Sequence, residues 1–482
     1  MLSRRTHRTG ARVLPVALAL VAALALPGCG IVVRQANRAI DYSRHVGDVG
    51  RYGRLTEQEM QWAKVAWRYF ENNTNPENGL VNGFDRYPAF SMWHVADYMA
   101  ALSAARDLGL IELREFDERM SRVLKFLNTM DLSEGSVPNK LYNSVTGKMV
   151  NYSNQPEDIG WSAVETGRLL TWMKIVGARY PQYREYLDKA VLRWNFCQVI
   201  DDCGTMFGTS RAKGQRHRYQ EGRFGYEQAA AAGFSAWGFD ASRIWSPPKL
   251  ASVTILGAPV PFDPRDPRET GAQAPVLTMP HVLLGMEYGW RYPGRSVASA
   301  GERVDLRRIA QQVYAVQETR YRKQGVLTAR TDYQVREAPY AVTDAIYNAG
   351  VPWSTAGPDG KEQEKLALVS TRAAFGMWVL WPGEYTDRLL QAVEALHQPN
   401  RGWYEGRLEH SGGALESISL STNAMVLETL LFKVRGRLHP EETPAGYFDR
   451  RLADVFDRPG TCLPAERPVC KPQQRRRGSL GQ

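Results

Sequence analysis

The sequence predicts an all-α protein whose helices close into an (α/α)6 toroid, with about twelve helices in two concentric rings. Two observations indicate this fold. Segments that are apolar on every side alternate with segments that carry one apolar stripe, and a helix of the first kind must be buried all round. The 482 residues contain no repeat of fixed length between about 20 and 50 residues, which an open solenoid would show.

The outer ring is expected to consist of amphipathic helices. In the first of them Met60, Ala63, Trp67 and Phe70 recur at helical spacing. Further helices are predicted over residues 91–110, 115–130, 157–178, 182–201, 226–240, 279–290, 303–322, 339–349, 366–381, 384–397 and 418–434. Among these, the segments 91–110, 157–178 and 226–240 are apolar on every side and are expected in the inner ring. The proline-rich residues 246–278 interrupt the series, and we expect a small β-hairpin and a long loop there.

The first residues of the chain are predicted to direct export. Residues 1–28 combine a basic start with a short apolar run, which is the pattern of a secretory signal peptide rather than of a spanning helix. The following Cys29 completes Leu-Pro-Gly-Cys, which resembles the lipobox of bacterial lipoproteins. That resemblance implies acylation of Cys29 and anchoring in a membrane. Gly30 then implies delivery to the outer membrane, with the protein facing the periplasm.

The same considerations divide the rest of the chain. Residues 29–54 are polar and are predicted to form a tether, and residues 55–440 the toroid. The segment 441–482 is a proline-rich basic tail, for which we expect a solvated extension or, as an alternative, binding to anionic envelope polymers.

The formal net charge of +10 gives no evidence for nucleic-acid binding. Residues 1–28 contribute four positive charges and residues 458–482 contribute five, which leaves a surplus of one for everything between them. A nucleic-acid-binding domain would show a basic patch on its folded body. We therefore expect no nucleic-acid partner.

Four cysteines remain after Cys29, arranged as two local pairs. Because an exported chain meets an oxidising compartment, we expect Cys197 to pair with Cys203 and Cys462 with Cys470. Zinc is the competing interpretation, but neither pair has CxxC spacing and no histidine lies near. We expect no metal.

The chain lacks the motifs of several common enzyme classes. It contains no HExxH, GxSxG, GxxxxGK[ST] or GxGxxG, so zinc-peptidase, serine-hydrolase and nucleotide-binding functions lose their usual signatures. No nucleotide and no organic cofactor is expected. Carboxylates and aromatic residues remain, and aromatic rings are abundant because the chain has 13 Trp and 22 Tyr.

Four acids with glycine, asparagine and aromatic neighbours are the catalytic candidates. Glu227 opens the alanine-rich helix, where burial would raise its pKa and suit a general acid. Asp158 is the first candidate for the base, although an acid there could simply stabilise a helix start. Asp85 and Glu405 are the substitutes. Glu165 shares a helix face with Asp158, but a plain ion pair with Arg168 three residues on is the favoured interpretation.

Aromatic residues beside these acids are candidates for binding sugar rings. Their apolar faces suit the C–H faces of pyranoses. These residues are Trp93, Trp161, Tyr226 and Trp403. Asp240 is a further substrate-binding candidate, with the end of a helix as its alternative role. His94, alone among apolar neighbours, is expected to be a core histidine.

Several longer strings resemble a known family. They are NGLVNGFDRYP with SMWHVADY, LYNSVTGKMVNYSNQPEDIGWSAVETGRLL, GYEQAAAAGFSAWGFD, RGWYEGRLE and LSTNAMVLETLLFKVRG. They look like an uncharacterised bacterial envelope family, domain of unknown function 3131, which is similar in architecture to glucoamylase-like (α/α)6 carbohydrate enzymes. The resemblance covers residues 55–438 and implies a helical toroid in envelope polysaccharide biology. It carries no catalytic assignment, so the candidate residues rest on chemistry and position.

The predicted function is that of an envelope lipoprotein acting on a polysaccharide or oligosaccharide. An inverting glycoside hydrolase with Glu227 as acid is the first hypothesis, and it requires two carboxylates about 6.5–9.5 Å apart. The alternative is a non-catalytic lipoprotein that binds a nascent exopolysaccharide and supports its export or assembly. A polysaccharide lyase with Tyr226 or His94 as base is the third possibility.

Overall fold

The computed structural model describes residues 50–212, 215–222, 224–245, 250–270, 273–293, 303–440 and 461–468. The predicted signal peptide, Cys29 and Cys470 lie outside the described residues, as do most of the predicted tether and tail. Thirteen α-helices occur in the described part: α1 (Glu57–Asn73), α2 (Met92–Leu108), α3 (Leu113–Thr129), α4 (Ala163–Arg179), α5 (Arg184–Leu192), α6 (Tyr226–Ala236), α7 (Ser242–Trp245), α8 (Pro267–Thr270), α9 (Met279–Tyr288), α10 (Leu306–Gln324), α11 (Thr371–Leu380), α12 (Glu384–Val393) and α13 (Leu420–Arg435).

Short antiparallel strands connect the helices. Within the described residues they are β1 (Ala89–Ser91), β2 (Leu132–Ser133), β3 (Val137–Pro138), β4 (Leu141–Asn143), β5 (Phe207–Ala212), β6 (Gln215–Gln220), β7 (Ala251–Ile255), β8 (Ala258–Phe262), β9 (Asp332–Gln334), β10 (Ala341–Asp344), β11 (Tyr347–Asn348), β12 (Val351–Pro352), β13 (Thr355–Ala356), β14 (Leu368–Ser370), β15 (His397–Gln398), β16 (Gly402–Trp403), β17 (Gly406–Leu408) and β18 (Ala414–Leu415). The two largest sheets have three strands each, in the orders β13-β10-β9 and β14-β17-β18.

Six helices form a closed inner ring. In the order α2, α4, α6, α9, α11 and α13, each packs against the next, and α13 packs against α2. These helices are buried at nearly every position, for example from Thr371 to Leu380 throughout α11. This is the all-round apolar pattern of the sequence, and it confirms the predicted (α/α)6 toroid.

The outer ring follows the chain between the inner helices. The helices α1, α3, α5, α10 and α12 pack on the inner ring through one buried stripe each, with Trp62, Ala66 and Phe70 buried on α1. Between α6 and α9 the outer layer is instead the single turn α7 together with the β7–β8 hairpin, which packs on α10. The hairpin expected within 246–278 is therefore present.

Two sequence-based helix predictions need correction. Residues 339–349 are not helical, because the β-branched Val342 and Thr343 pair with β9 as strand β10. The helix predicted from 157 begins only at Ala163, with the Ser162 side chain accepting the Glu165 N–H at its N-cap.

The inner helices approach closely where small residues face each other. A Cβ atom on Gly167 of α4 would lie 2.6 Å from the carbonyl oxygen of Ala230 on α6, and a Cβ on Gly233 would overlap the backbone of Gly167. The alanine run of α6 has the same effect, since short side chains let the helix axes come together. The ring is narrow on this side.

A buried ion cluster joins four inner helices near the middle of the ring. Arg168 of α4 donates to Asp97 of α2 at 3.0 Å and to Glu428 of α13 at 3.0 Å, and it also pairs with Glu287 of α9. All four side chains are at most 4% exposed. The predicted pair of Arg168 with Glu165 is therefore wrong, because Arg168 turns inward.

The predicted disulfide pairing is also wrong. Cys197 is bonded to Cys462, 265 residues away. Cys203 is itself disulfide-bonded. The local pairs were inferred from spacing alone, but the segment 461–468 returns to the body, where Arg467 donates to the carbonyl oxygens of Phe196 and Ile200. Across the described ranges, no helix has the length and apolar character that crossing a membrane requires.

Candidate active site

A cavity of about 580 Å³ opens at one end of the toroid. All six inner helices contribute their first residues, or the loop before them, to its wall. The lining residues are Ser91, Trp93, His94, Ser162, Val164, Glu165, Glu221, Gly222, Phe224, Tyr226, Gln273, Pro275, Leu277, Asp332, Tyr333, Gln334, Ala341, Val342, Thr343, Pro358, Arg372, Glu405, Ser419 and Ser421. Its volume lies within the range of about 300–1,000 Å³ that is typical of small-ligand sites.

Four acids line this cavity: Glu165, Glu221, Asp332 and Glu405. Each is held in a different chemical environment. Paired titratable groups with different environments are the usual mark of acid–base sites.

Glu165 is an acid that favours its protonated form. Burial, followed by the nearby carboxyl of Glu221, raises the pKa of Glu165 to about 8. Its Oε2 is buried with no hydrogen-bond partner among the described residues. A neutral carboxyl with an uncommitted oxygen can donate a proton to a ligand.

Glu221 lies next to it, in the segment that leads into α6. Its Oε2 accepts hydrogen bonds from the N–H groups of Ala163 and Val164, the latter at 3.2 Å, at the positive end of α4. Burial raises the pKa of Glu221, although Lys140 opposes that effect. Glu165 and Glu221 therefore form a pair of adjacent acids that disfavour simultaneous ionisation.

Asp332 presents a carboxylate to the cavity. Its side chain is 41% exposed. The hydroxyl groups of Tyr226 and Thr331 donate to Oδ1 at 2.6 Å and 2.9 Å. Arg372, at 3.3 Å from Oδ1, also donates to the backbone carbonyl of Asp332. These donors fix the orientation of the carboxylate.

Glu405 is the fully buried member of the set. Its oxygens accept from Ser419 and, at 2.9 Å, from Thr422, at the start of α13. Burial raises the pKa of Glu405, and Arg372 is the largest opposing influence. Both oxygens are therefore committed to the protein, which suits a group that positions its neighbours.

The other predicted acids lie outside the lining of the cavity. Asp158 accepts from Ser133 at 2.8 Å and pairs with Arg216 at 2.8 Å. Hydrogen bonds from Ser133 and from backbone N–H groups, assisted by Arg216, outweigh partial burial and lower its pKa. Asp85 pairs with Arg401, a residue 316 positions away, and accepts from Asn73.

Glu227 is buried and lies outside the lining of the cavity. Gln220 donates to its Oε1 at 3.0 Å, and Arg265 lies 3.9 Å from its Oε2. Of the four acids nominated from the sequence, the structure thus brings only Glu405 to the cavity. The catalytic roles of Glu227, Asp158, Asp85 and Glu405 stay predictions.

The predicted sugar-binding residues divide in the same way. Trp93 and Tyr226 line the cavity and meet edge to face with ring centroids 5.4 Å apart. Trp161 is 2% exposed, and its indole N–H donates to the Phe207 carbonyl. Trp403 is fully buried against Phe375.

Asp240 and His94 have local structural contacts. Asp240 accepts the N–H of Ser242 at the start of α7. His94 is buried as expected, but it also lines the cavity. Its Nδ1 accepts the Ser91 N–H at 3.0 Å, and burial lowers its pKa to about 4. The imidazole is therefore neutral at physiological pH.

Sequence reasoning passed over Glu221, Asp332 and Arg372, and it gave Glu165 a different role. Glu221 carried a usable signal, because only three residues separate Glu221-Gly222 from the start of a wholly apolar helix. Asp332 and Arg372 carried no signal in the local sequence, because their environments come from packing of the β9–β10 hairpin against the ring. Nowhere in the described ranges do three His, Cys, Asp or Glu side chains form a group that could hold a metal ion.

Comparison with solved structures finds the same fold in several other proteins. A candidate glucoamylase from Bacteroides uniformis superposes with a TM-score of 0.57 at 12% identity, covering 80% of this chain and 94% of that one. An endo-β-1,2-glucanase from Chitinophaga pinensis, in complex with sophorotriose and glucose, gives a TM-score of 0.54 at 12% identity over 80% of this chain and 94% of that one.

A β-1,2-glucanase from Parabacteroides distasonis is similarly related, with a TM-score of 0.54 at 13% identity over 79% of this chain and 57% of that one. At such low identities the likeness is one of fold. No curated protein matches the sequence. A family model does match, over residues 61–436. This chain therefore belongs to the family described as protein of unknown function (DUF3131).

Proposed function

We propose that the protein is an inverting glycoside hydrolase that acts on a polysaccharide, with Glu165 as general acid and Asp332 as general base. One observation carries the proposal: a single cavity holds a carboxyl group that favours its protonated form and a half-exposed, oriented carboxylate. Hydrolysis of a glycosidic bond by inversion needs these two groups. The fold shared with two β-1,2-glucanases supports carbohydrate as the substrate.

The reaction follows from the two environments. The protonated Glu165 gives its proton to the glycosidic oxygen as the bond from that oxygen to the anomeric carbon breaks. Asp332 takes a proton from a water molecule, whose oxygen bonds to the anomeric carbon from the opposite face. The products are a free hydroxyl on the leaving sugar and a hemiacetal of inverted configuration, so atoms and charge balance.

The neighbouring groups support these roles. Tyr226 and Arg372 hold Asp332 in place. Glu221 sustains the raised pKa of Glu165 through like-charge repulsion, in addition to the larger effect of burial. Glu165 belongs to α4 and Asp332 to β9, and their hydrogen-bond partners differ, so the two acids belong to separate parts of the wall.

The test is hydrolysis by the purified chain and its variants. We would incubate it with linear β-1,2-glucan, hydroxyethylcellulose, chitosan and alginate, and measure new reducing ends. Glu165→Gln and Asp332→Asn should each reduce turnover at least about 100-fold, the usual contribution of one acid or base. Glu118→Gln on α3 and Asp131→Asn are matched controls, because both side chains are about half exposed on other surfaces.

Two results would contradict the assignment. Full activity in Glu165→Gln would remove the general acid, and loss of turnover in Glu227→Gln without loss of stability would restore the acid nominated from the sequence. Nuclear magnetic resonance of the first product should show the inverted anomer. Ultraviolet-absorbing products would indicate a lyase, and retention of a glycan without cleavage would favour a non-catalytic glycan-binding protein.

The cellular location is a second proposal, and it rests on the sequence. We infer an envelope lipoprotein that is acylated at Cys29 and anchored in the outer membrane facing the periplasm. Metabolic labelling with palmitate should mark the wild-type protein and should fail for Cys29→Ser. Equal labelling of both would contradict the anchor.

A further inference from the structure

Two exposed tyrosines lie near the cavity, on different segments of the chain. Tyr152, in the loop before α4, is 72% exposed, and Tyr340, in the β9–β10 turn, is 67% exposed. They are the two most exposed large hydrophobic side chains in the described part of the chain. Neither ring belongs to the core, so core packing does not explain them.

Tyr152 lies on the side of the proposed acid. The carboxyls of Glu165 and Glu221, which line the cavity, are close enough to interact electrostatically with the hydroxyl group of Tyr152. Its loop is held by Tyr87, whose hydroxyl donates to the Tyr152 carbonyl at 3.1 Å. Tyr87 is itself 39% exposed, so the apolar surface continues beyond Tyr152.

Tyr340 lies on the side of the proposed base. The hairpin that carries it begins with Asp332, and Gln334 and Ala341 line the cavity on either side of the turn. The backbone of Tyr340 is in the left-handed region, with φ of 64°, and it is fixed by hydrogen bonds with Glu337 and Val335. A large side chain in that region is strained, and such strain is concentrated at functional positions.

The size of the cavity indicates why exposed aromatic rings would be needed outside it. A volume of about 580 Å³ suits a small ligand rather than a chain of many sugars. A polysaccharide whose bond lies between Glu165 and Asp332 must therefore leave the cavity over its rim. An exposed aromatic ring lies near Glu165, and another lies on the hairpin that begins with Asp332.

We propose that Tyr152 and Tyr340 are sugar-binding platforms that hold a polysaccharide on both sides of the cavity, so that the protein engages internal segments of a chain rather than chain ends. The inference rests on the proposed function for the identity of the ligand. The inference goes beyond the proposed function by assigning two binding residues and the way in which a polymer is bound. The contact is between the face of each ring and the C–H face of a sugar.

The experiment measures binding separately from cleavage. The full chain carrying Glu165→Gln would be run by affinity electrophoresis through gels that contain linear β-1,2-glucan, hydroxyethylcellulose, chitosan or alginate. Tyr152→Ala and Tyr340→Ala should each lower the affinity for the retained polymer about fivefold or more. In the double variant the two decreases in affinity should roughly multiply. Tyr152→Phe and Tyr340→Trp should keep retention, because the ring remains.

Tyr186→Ala is the matched control, since Tyr186 is 55% exposed but lies on the outer helix α5. Retention equal to the parent in both alanine variants, or no retention of the parent by any of the four polymers, overturns the inference. Tyrosine-dependent retention of a chain that cleaves nothing supports the platforms while refuting the hydrolase. Cleavage that releases only single terminal sugars would refute the internal binding mode alone.

Discussion

Replacing Glu165 with glutamine should make the protein more stable at alkaline pH while leaving its stability at acid pH nearly unchanged. Folding moves the pKa of this carboxyl from 4.5 to about 8. The folded state therefore holds the proton more tightly than the unfolded state. The stabilisation is fully present below about pH 4.5 and is lost as the pH rises through about 8.

The magnitude follows from the same two values. A tenfold change in proton affinity corresponds to about 1.4 kcal/mol. A pKa raised from 4.5 to about 8 therefore links up to about 5 kcal/mol of unfolding free energy to this one proton. Glutamine resembles the protonated acid in shape and carries no charge, so the variant should avoid most of this loss.

The assay is urea unfolding of wild type and variant, with disulfides intact, at about pH 5, 7 and 9. Near pH 5 the two free energies of unfolding should agree within about 1 kcal/mol. At pH 9 the variant should be more stable by several kcal/mol. Asp344 and Glu428, whose pKa values burial raises to about 7, titrate in both proteins and cancel in the difference. A difference that is independent of pH, or that favours wild type at pH 9, would refute the reasoning.

Two further predictions concern the ring itself. Arg168→Met should lower the free energy of unfolding by about 3–5 kcal/mol at pH 8, measured by urea unfolding, because it leaves Asp97, Glu287 and Glu428 buried without their cation. A decrease below about 1 kcal/mol would show that the cluster does not contribute to folding stability. Gly233→Ala should lower the free energy of unfolding by about 1–3 kcal/mol through overlap with Gly167. Gly383→Ala is the control and should change it by no more than about 1 kcal/mol, because no atom lies within 4 Å of the added methyl group and the backbone there is extended.

Much of the architecture could be predicted because the burial of a helix determines which of its positions are apolar, and this pattern is visible in the local sequence. A helix with no polar face, such as α2 or α11, has to be surrounded, and six such helices close a ring. Prediction failed at 339–349 because a short apolar segment has no reliable period, and pairing with β9 decides its structure.

The acids of the site could be predicted only in part, because their partners are remote in the chain. From the sequence, Asp85 was a candidate for catalysis, but in the structure it pairs with Arg401, which lies 316 residues away in the chain. Asp158 likewise pairs with Arg216, 58 residues on. Conversely, Glu165 seemed committed to Arg168, but the ion cluster in the ring draws that arginine inward and leaves the acid facing the cavity.

The raised pKa of Glu165 also shows which of two opposing effects dominates at this end of the toroid. Glu165 lies in the first turn of α4, where the helix dipole favours a negative charge by about 0.3–1 kcal/mol. Burial beside Glu221 acts in the other direction, and full burial can move a carboxyl by several pKa units. Burial dominates because the first residues of the inner helices surround the acid and limit its access to water. The same ring of helix starts, together with the β9–β10 hairpin, thus places in one cavity a carboxyl group that favours its protonated form and the 41% exposed carboxylate of Asp332.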